Sequence, residues 1–257
     1  MRTKKAVINT MTSIMAEVVS IICGLILPRL ILGAFGSSYN GITSSITQFL
    51  SCIVLLRAGV GSVTRAALYN PLSKKDKSEI SGIVNATAIF MKKVALIYVG
   101  ALIVFACVYP FLVRNSFSWI FSATLVLIIG SSTFVDNYFG IAYQMLLQAD
   151  QKNYVNTIPQ IVTTILNTIV AAVLIHCGAG IHLVKLGSAI VYFIRPLFLS
   201  YYVKKKYEID ADIKPNNSAI SQRWDAFAQQ AAAFVNNNTD VIVLTMFSDI
   251  KEVSVYT

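Results

Sequence analysis

Apolar runs of membrane length follow one another along this chain, separated by short polar breaks. A hydrocarbon core of about 30 Å needs roughly 20 helical residues to cross it. On that measure the pattern predicts complete spans over Ala6 to Phe35, Ile42 to Tyr69, Ile83 to Val113, Phe117 to Leu147, Val155 to Cys177 and Ile181 to Val203, with a seventh over Ala226 to Phe247. Several exceed the minimum, which implies tilt or helix projecting beyond the bilayer. Ser81 to Lys93 reads as such a projection, with Lys92 and Lys93 snorkelling to the interface. The expected fold class is all-α, a polytopic membrane helix bundle.

Composition agrees. Of 257 residues, 56% are hydrophobic and only 13% charged, and the mean hydropathy is +0.66. A water-soluble fold of this size needs far more charge on its outside. The basic start Met1-Arg2-Thr3-Lys4-Lys5 resembles a secretory leader, but the apolar run behind it is twice the usual length and lacks a small-residue cleavage pattern, so it stays as a helix.

The formal net charge of +9 is placed by topology. Arg2, Lys4 and Lys5 precede the first span, Lys74, Lys75 and Lys77 follow the second, Lys152 follows the fourth, and Lys204, Lys205, Lys206 and Lys214 follow the sixth. The alternate loops, Gly36 to Asn40, Arg114 to Ser116 and Gly178 to Gly180, hold almost no positive charge. The amino terminus is therefore expected to be cytoplasmic, in a multi-pass protein of the cell's cytoplasmic (inner) membrane. That placement also removes nucleic acid as the reason for the basic surplus.

Lys204 to Ser221, with Pro215-Asn216-Asn217, is the candidate linker. The expected organisation is a six-helix amino-terminal lobe over 1–205, a cytoplasmic linker over 206–221 and the start of a second lobe over 222–257. An odd final span that stops at the start of a new segment suggests the amino-terminal part of a longer protein; a complete six-helix protein with a loose tail is the alternative.

Cys23, Cys52, Cys107 and Cys177 are scattered one to a span, with no Cys-x-x-Cys pair, and read as small apolar filler. His176 and His182 flank Gly178-Ala179-Gly180 without a third ligand, so no metal site is expected. No loop is long or suitably armed for catalysis, so no catalytic residues and no cofactor are expected.

The informative residues are charges inside apolar segments. At 1.5 Å per residue from the cytoplasmic end, Glu17 lies roughly 18 Å in, Arg57 and Asp136 roughly 21 Å, Arg195 roughly 14 Å and Arg65 roughly 9 Å. An arginine at such depth costs about 2.5–3.5 kcal/mol on insertion scales, so it faces other helices or water. Arg57, Gly61 and Thr64 share one helical face, and Asp136-Asn137 and Asn167 add polar groups at similar depth. Arg195 is followed by Pro196, and Pro28 precedes Arg29, so both arginines sit where proline frees backbone carbonyls. Asn236-Asn237-Asn238-Thr239-Asp240 in the seventh span is expected to line the same cavity, bringing Asp240 to it. Mutual pairing, Glu17 with Arg57 and Asp136 with Arg195, is one explanation. The other is a wet central cavity whose excess arginine meets an anion, since guanidinium forks match phosphate oxygens.

Pro28-Arg29-Leu30-Ile31-Leu32-Gly33-Ala34-Phe35-Gly36, then Gly41, then Leu55-Leu56-Arg57-Ala58-Gly59-Val60-Gly61-Ser62 and the lysine-rich Ser73 to Lys77 loop resemble the amino-terminal third of polysaccharide (O-antigen type) flippases. These belong to the multidrug/oligosaccharidyl-lipid/polysaccharide exporter superfamily. Asp240 to Leu244 with Val253 to Tyr256 resembles that family's seventh helix and the turn into its eighth. The resemblance implies two six-helix lobes that move an undecaprenyl-diphosphate-linked oligosaccharide across the cytoplasmic membrane by alternating access. It implies Arg57, and less closely Arg29 and Arg65, as diphosphate-binding residues; the depth reading adds Arg195 to them, with Glu17, Asp136, Asn137, Asn167 and Asp240 as polar or ion-coupling groups of the cavity. The partners expected are the lipid-linked oligosaccharide, membrane lipid and polysaccharide polymerase machinery. The alternatives are an ion-coupled multidrug or organic-cation exporter of the same superfamily and a membrane-embedded polyprenyl-phosphate glycosyltransferase.

Overall fold

The computed structural model describes residues 2–54, 58–113, 117–222, 227–228 and 232. They form a helical bundle, with no strand among the described residues. The helices are α1 (Arg2–Phe35), α2 (Ser37–Val54), α3 (Ala58–Lys74), α4 (Lys77–Leu112), α5 (Trp119–Val135), α6 (Ile141–Ala149), α7 (Tyr154–His176) and α8 (Ile181–Tyr207). A π-helical turn, Asp136–Gly140, joins α5 to α6 without a break. Five rods, α1, α4, α5 with α6, α7 and α8, are long and apolar enough to cross a membrane. This is an integral membrane protein.

The boundaries have local causes. Asp76 caps α4 by accepting a hydrogen bond from the Glu79 amide at 3.0 Å, right after Lys75 turns the chain at φ 57°. Ser118 does the same for α5, accepting from the Phe121 amide. Gly36, at φ 88°, supplies the left-handed turn between α1 and α2. The stretch predicted as one span over 42–69 comprises α2 and α3, with 55–57 outside the described residues; the predicted seventh span also lies outside them.

Polarity is distributed as a bilayer demands and water does not. On α7, Asn156, Thr163 and Asn167 are buried while Val162, Ile165, Ile169 and Val173 are exposed. On α4, Leu96, Ile97, Val104 and Phe111 are exposed as well. Apolar burial gives helices little reason to associate in lipid, so packing and interhelical hydrogen bonds must hold them, each bond contributing about 0.6 kcal/mol. Tyr98 of α4 donates to the Gly130 carbonyl of α5 at 3.1 Å, and the hydroxyls of Thr64 and Thr87 meet at 3.1 Å between α3 and α4. One core cluster joins α2, α4 and α5 around Ile42, Ile46, Tyr98, Tyr109 and Leu125. A second, nearer the end of the bundle that carries the basic loops, joins α3, α4, α6 and α8 around Leu68, Ile83, Leu146, Leu147 and Leu199.

At 36 residues, α4 is about 54 Å long at 1.5 Å per residue, so its first turns extend past a bilayer core. The candidate linker packs there: Asn85 donates to the carbonyls of Asp210 and Ile213, and the Asn216 amide donates to the Gly82 carbonyl. Ile220 is buried beneath it. Lys92 lies over the Tyr138 ring of the π turn, 5.5 Å from its centroid.

Candidate functional site

Four helices turn polar residues toward one another and leave a cavity of about 610 Å³ between them. Lys185, Ser188, Tyr192 and Arg195 of α8 follow at i, i+3, i+7 and i+10, and Ser132 and Thr133 of α5 with Asp136 of the π turn form a second face. Thr47 and Ser51 line it from α2, and Asn167 from α7. Such lining is unfavourable against lipid and favourable only around water or a polar occupant.

Arg195 is held in place from α7. Its Nη2 and Nε both donate to Asn156 Oδ1, at 2.9 and 3.3 Å, so a neutral amide helps to orient the guanidinium. Lys185 has no hydrogen-bond or ion-pair partner among the described residues. Asn167 is only 3% exposed; its amide nitrogen donates to the Tyr192 hydroxyl at 3.2 Å, and its Oδ1 has no partner among the described residues.

Asp136 opens the π turn, and its Oδ1 accepts from Gln144 Nε2 of α6 at 2.9 Å, bridging across the turn. Gly140 lies beneath that bridge. A Cβ there would stand 2.8 Å from Asp136 Oδ1, 3.2 Å from Gln144 Nε2 and 3.1 Å from Pro196 Cβ. The absent side chain thus lets the carboxylate–amide bridge and the proline of α8 converge on one point. π turns are often retained where function needs a displaced side chain, and here the displaced residue is the cavity's acid.

Of the residues singled out from sequence, Arg195, Asp136 and Asn167 line this cavity. Asn137 is buried in the π turn beside it. Arg65 instead donates to Gln148 Oε1 at 2.6 Å near the basic end. Arg29 is exposed on α1, beside a shallow hollow formed with Ile26, Leu30 and Ile175. Glu17 is exposed on α1. Arg57 and Asp240 lie outside the described residues. Lys185, Asn156, Gln144 and Gly140 were not singled out. Stepping back from Arg195 by helical spacing reaches Tyr192, Ser188 and Lys185, so phase along α8 would have found the lysine.

At the basic end, Asp150 gathers three elements. It accepts from Lys5 of α1 at 3.4 Å, and from Lys152 and the Tyr207 hydroxyl of α8. Asn9 adds a bond to the Gln151 carbonyl at 2.9 Å and accepts from the Tyr154 amide at 3.0 Å. Burial alone would push the Asp150 carboxyl up, but hydrogen bonds from Lys152 and Tyr207 and the charges of Lys152 and Lys5 outweigh it and hold it below the usual range. A depressed folded pKa stabilises the fold above the unfolded value of about 3.9, and this contribution disappears as pH falls through the folded value. Asp150→Asn is expected to destabilise the protein by about 1 kcal/mol at pH 7, with the difference from wild type closing as pH falls through the lowered folded value. Thermal unfolding in detergent at pH 7 and in acid measures it; equal stability at pH 7 contradicts the latch.

No protein-family model matches the chain, and no curated protein and no solved structure matches it.

Proposed function

We propose that the protein is a flippase that carries an undecaprenyl-diphosphate-linked oligosaccharide across the cytoplasmic membrane for polysaccharide biosynthesis, by alternating access. One observation carries the reading: a polar cavity inside a membrane bundle, lined among the described residues by two cations, Arg195 and Lys185, against one acid, Asp136. A positive surplus in low dielectric favours an anionic cargo, and the Arg195 guanidinium suits phosphate oxygens. Hydroxyls of Thr47, Ser51, Ser132, Thr133 and Ser188 suit a sugar passing between them. The amino terminus is cytoplasmic in this reading, because the basic loops gather at its end of the bundle.

The organic-cation exporter is the second reading, favoured by Asp136 alone, held toward the cavity by Gln144. A leaflet assay separates the two. With the purified protein in liposomes containing a labelled undecaprenyl-diphosphate oligosaccharide, the reading expects protein-dependent appearance of the sugar in the opposite leaflet. No movement of that lipid, with accumulation of an organic cation instead, overturns it.

A further inference from the structure

We propose that the cavity holds a second, separate subsite, built on Lys185, Asn167 and Tyr192, for an acidic sugar of the cargo. This rests on the flippase reading but on different atoms from those assigned to the diphosphate. Lys185 and Arg195 are ten residues apart on α8, roughly 15 Å along the axis at 1.5 Å per residue, further than one diphosphate reaches. They therefore engage different parts of a long substrate.

Tyr192 and Asn167 line the cavity between the two cations, and together with Lys185 they define what fits. Lys185 offers an ammonium with no partner among the described residues. Tyr192 accepts from Asn167, and its own hydroxyl proton is given to no described residue. Asn167 Oδ1, buried and without a partner among the described residues, needs a donor. A cation and a neutral donor beside an unmet acceptor match a ligand that is an anion and also carries O–H groups. A fully ionised phosphate would satisfy Lys185 but bring only oxygens to the Asn167 carbonyl. A neutral sugar would satisfy Asn167 but leave the ammonium without a counter-charge, and an unpaired charge in low dielectric is unfavourable. A hexuronic acid meets both needs: its carboxylate accepts from Lys185 and Tyr192, and a ring hydroxyl donates to Asn167.

The test uses soluble oligosaccharides without lipid or diphosphate, so its outcome does not depend on the leaflet assay. A trisaccharide with one hexuronic acid and its carboxyl-reduced neutral twin are titrated into the intact purified protein by calorimetry. The acidic form is expected to bind roughly tenfold more tightly, the scale of one charge-assisted hydrogen bond. Lys185→Gln should remove that preference, Lys185→Arg should keep it, and dimethyl phosphate, an anion without an O–H, should not displace the acidic sugar. Equal binding of the two sugars to wild type, a preference that survives Lys185→Gln, or displacement by dimethyl phosphate overturns the subsite. If the leaflet assay succeeds while the sugars bind equally, the subsite alone is removed. If the lipid does not move, the flippase reading falls whichever way the sugars bind.

Discussion

Arg195→Ala is expected to stop transport of the diphosphate-linked lipid while leaving the protein inserted and folded. The guanidinium lines the cavity and is aimed by Asn156, so little ordering remains to be done when an anion arrives. A hydrogen bond to a charged group contributes about 1.5–3 kcal/mol, which corresponds to roughly 10- to 100-fold in affinity. Losing the fork should weaken capture by that factor or more, since the charge is lost with it. Arg195→Lys should fall between the two, keeping charge but not the planar geometry. Stability should change less than transport, because the polar cavity leaves room for a water at Asn156 in place of the guanidinium. The leaflet assay reads the first effect and a melt in detergent the second. Wild-type transport by Arg195→Ala contradicts the account.

The second large effect belongs to Gly140. Valine there must displace the Asp136–Gln144 bridge and push against Pro196, since even a Cβ would lie 2.8 Å from the carboxylate and 3.1 Å from the proline ring. Breaking a part-buried polar bridge costs about 1–3 kcal/mol and overpacking a similar amount, so about 2–6 kcal/mol of stability should be lost. Transport should fall as well, because the bridge holds the cavity's acid. Gly100→Ala on α4 is the control, where a Cβ meets nothing within 4 Å. Chemical unfolding of both variants in detergent checks the contrast; equal stabilities would show that the π turn tolerates a side chain.

The bundle itself was legible because apolar runs of spanning length leave a helix few alternatives. The span predicted over Phe117 to Leu147 is one rod, Trp119–Ala149, but its π turn was not visible. The turn packs at Gly140 against Pro196 of another helix, and single-segment periodicity cannot register such a contact. Counting residues gave each charge a depth, and depth brought Arg195, Asp136 and Asn167 to one layer. It could not give azimuth, so Glu17 and Arg29, both inside an apolar run, are exposed on α1 outside the cavity. Lys185 escaped notice because a lysine one turn into a helix reads as an interfacial anchor. Only its place in the stripe with Ser188, Tyr192 and Arg195 shows that it belongs to the cavity. The stretch after α8 read as a linker, yet its contacts with Asn85 and Gly82 depend on how far α4 projects.

The charge of the hollow between α2, α5 and α8 is open to direct measurement. Ser188→Cys, in a protein whose Cys23, Cys52, Cys107 and Cys177 are replaced, can be reacted with an anionic and a cationic methanethiosulfonate, each rate normalised to a free thiol. A water-filled cationic cavity predicts reaction with both reagents and a normalised preference for the anion of about tenfold or more. No reaction with either reagent, or a preference for the cation, would contradict it.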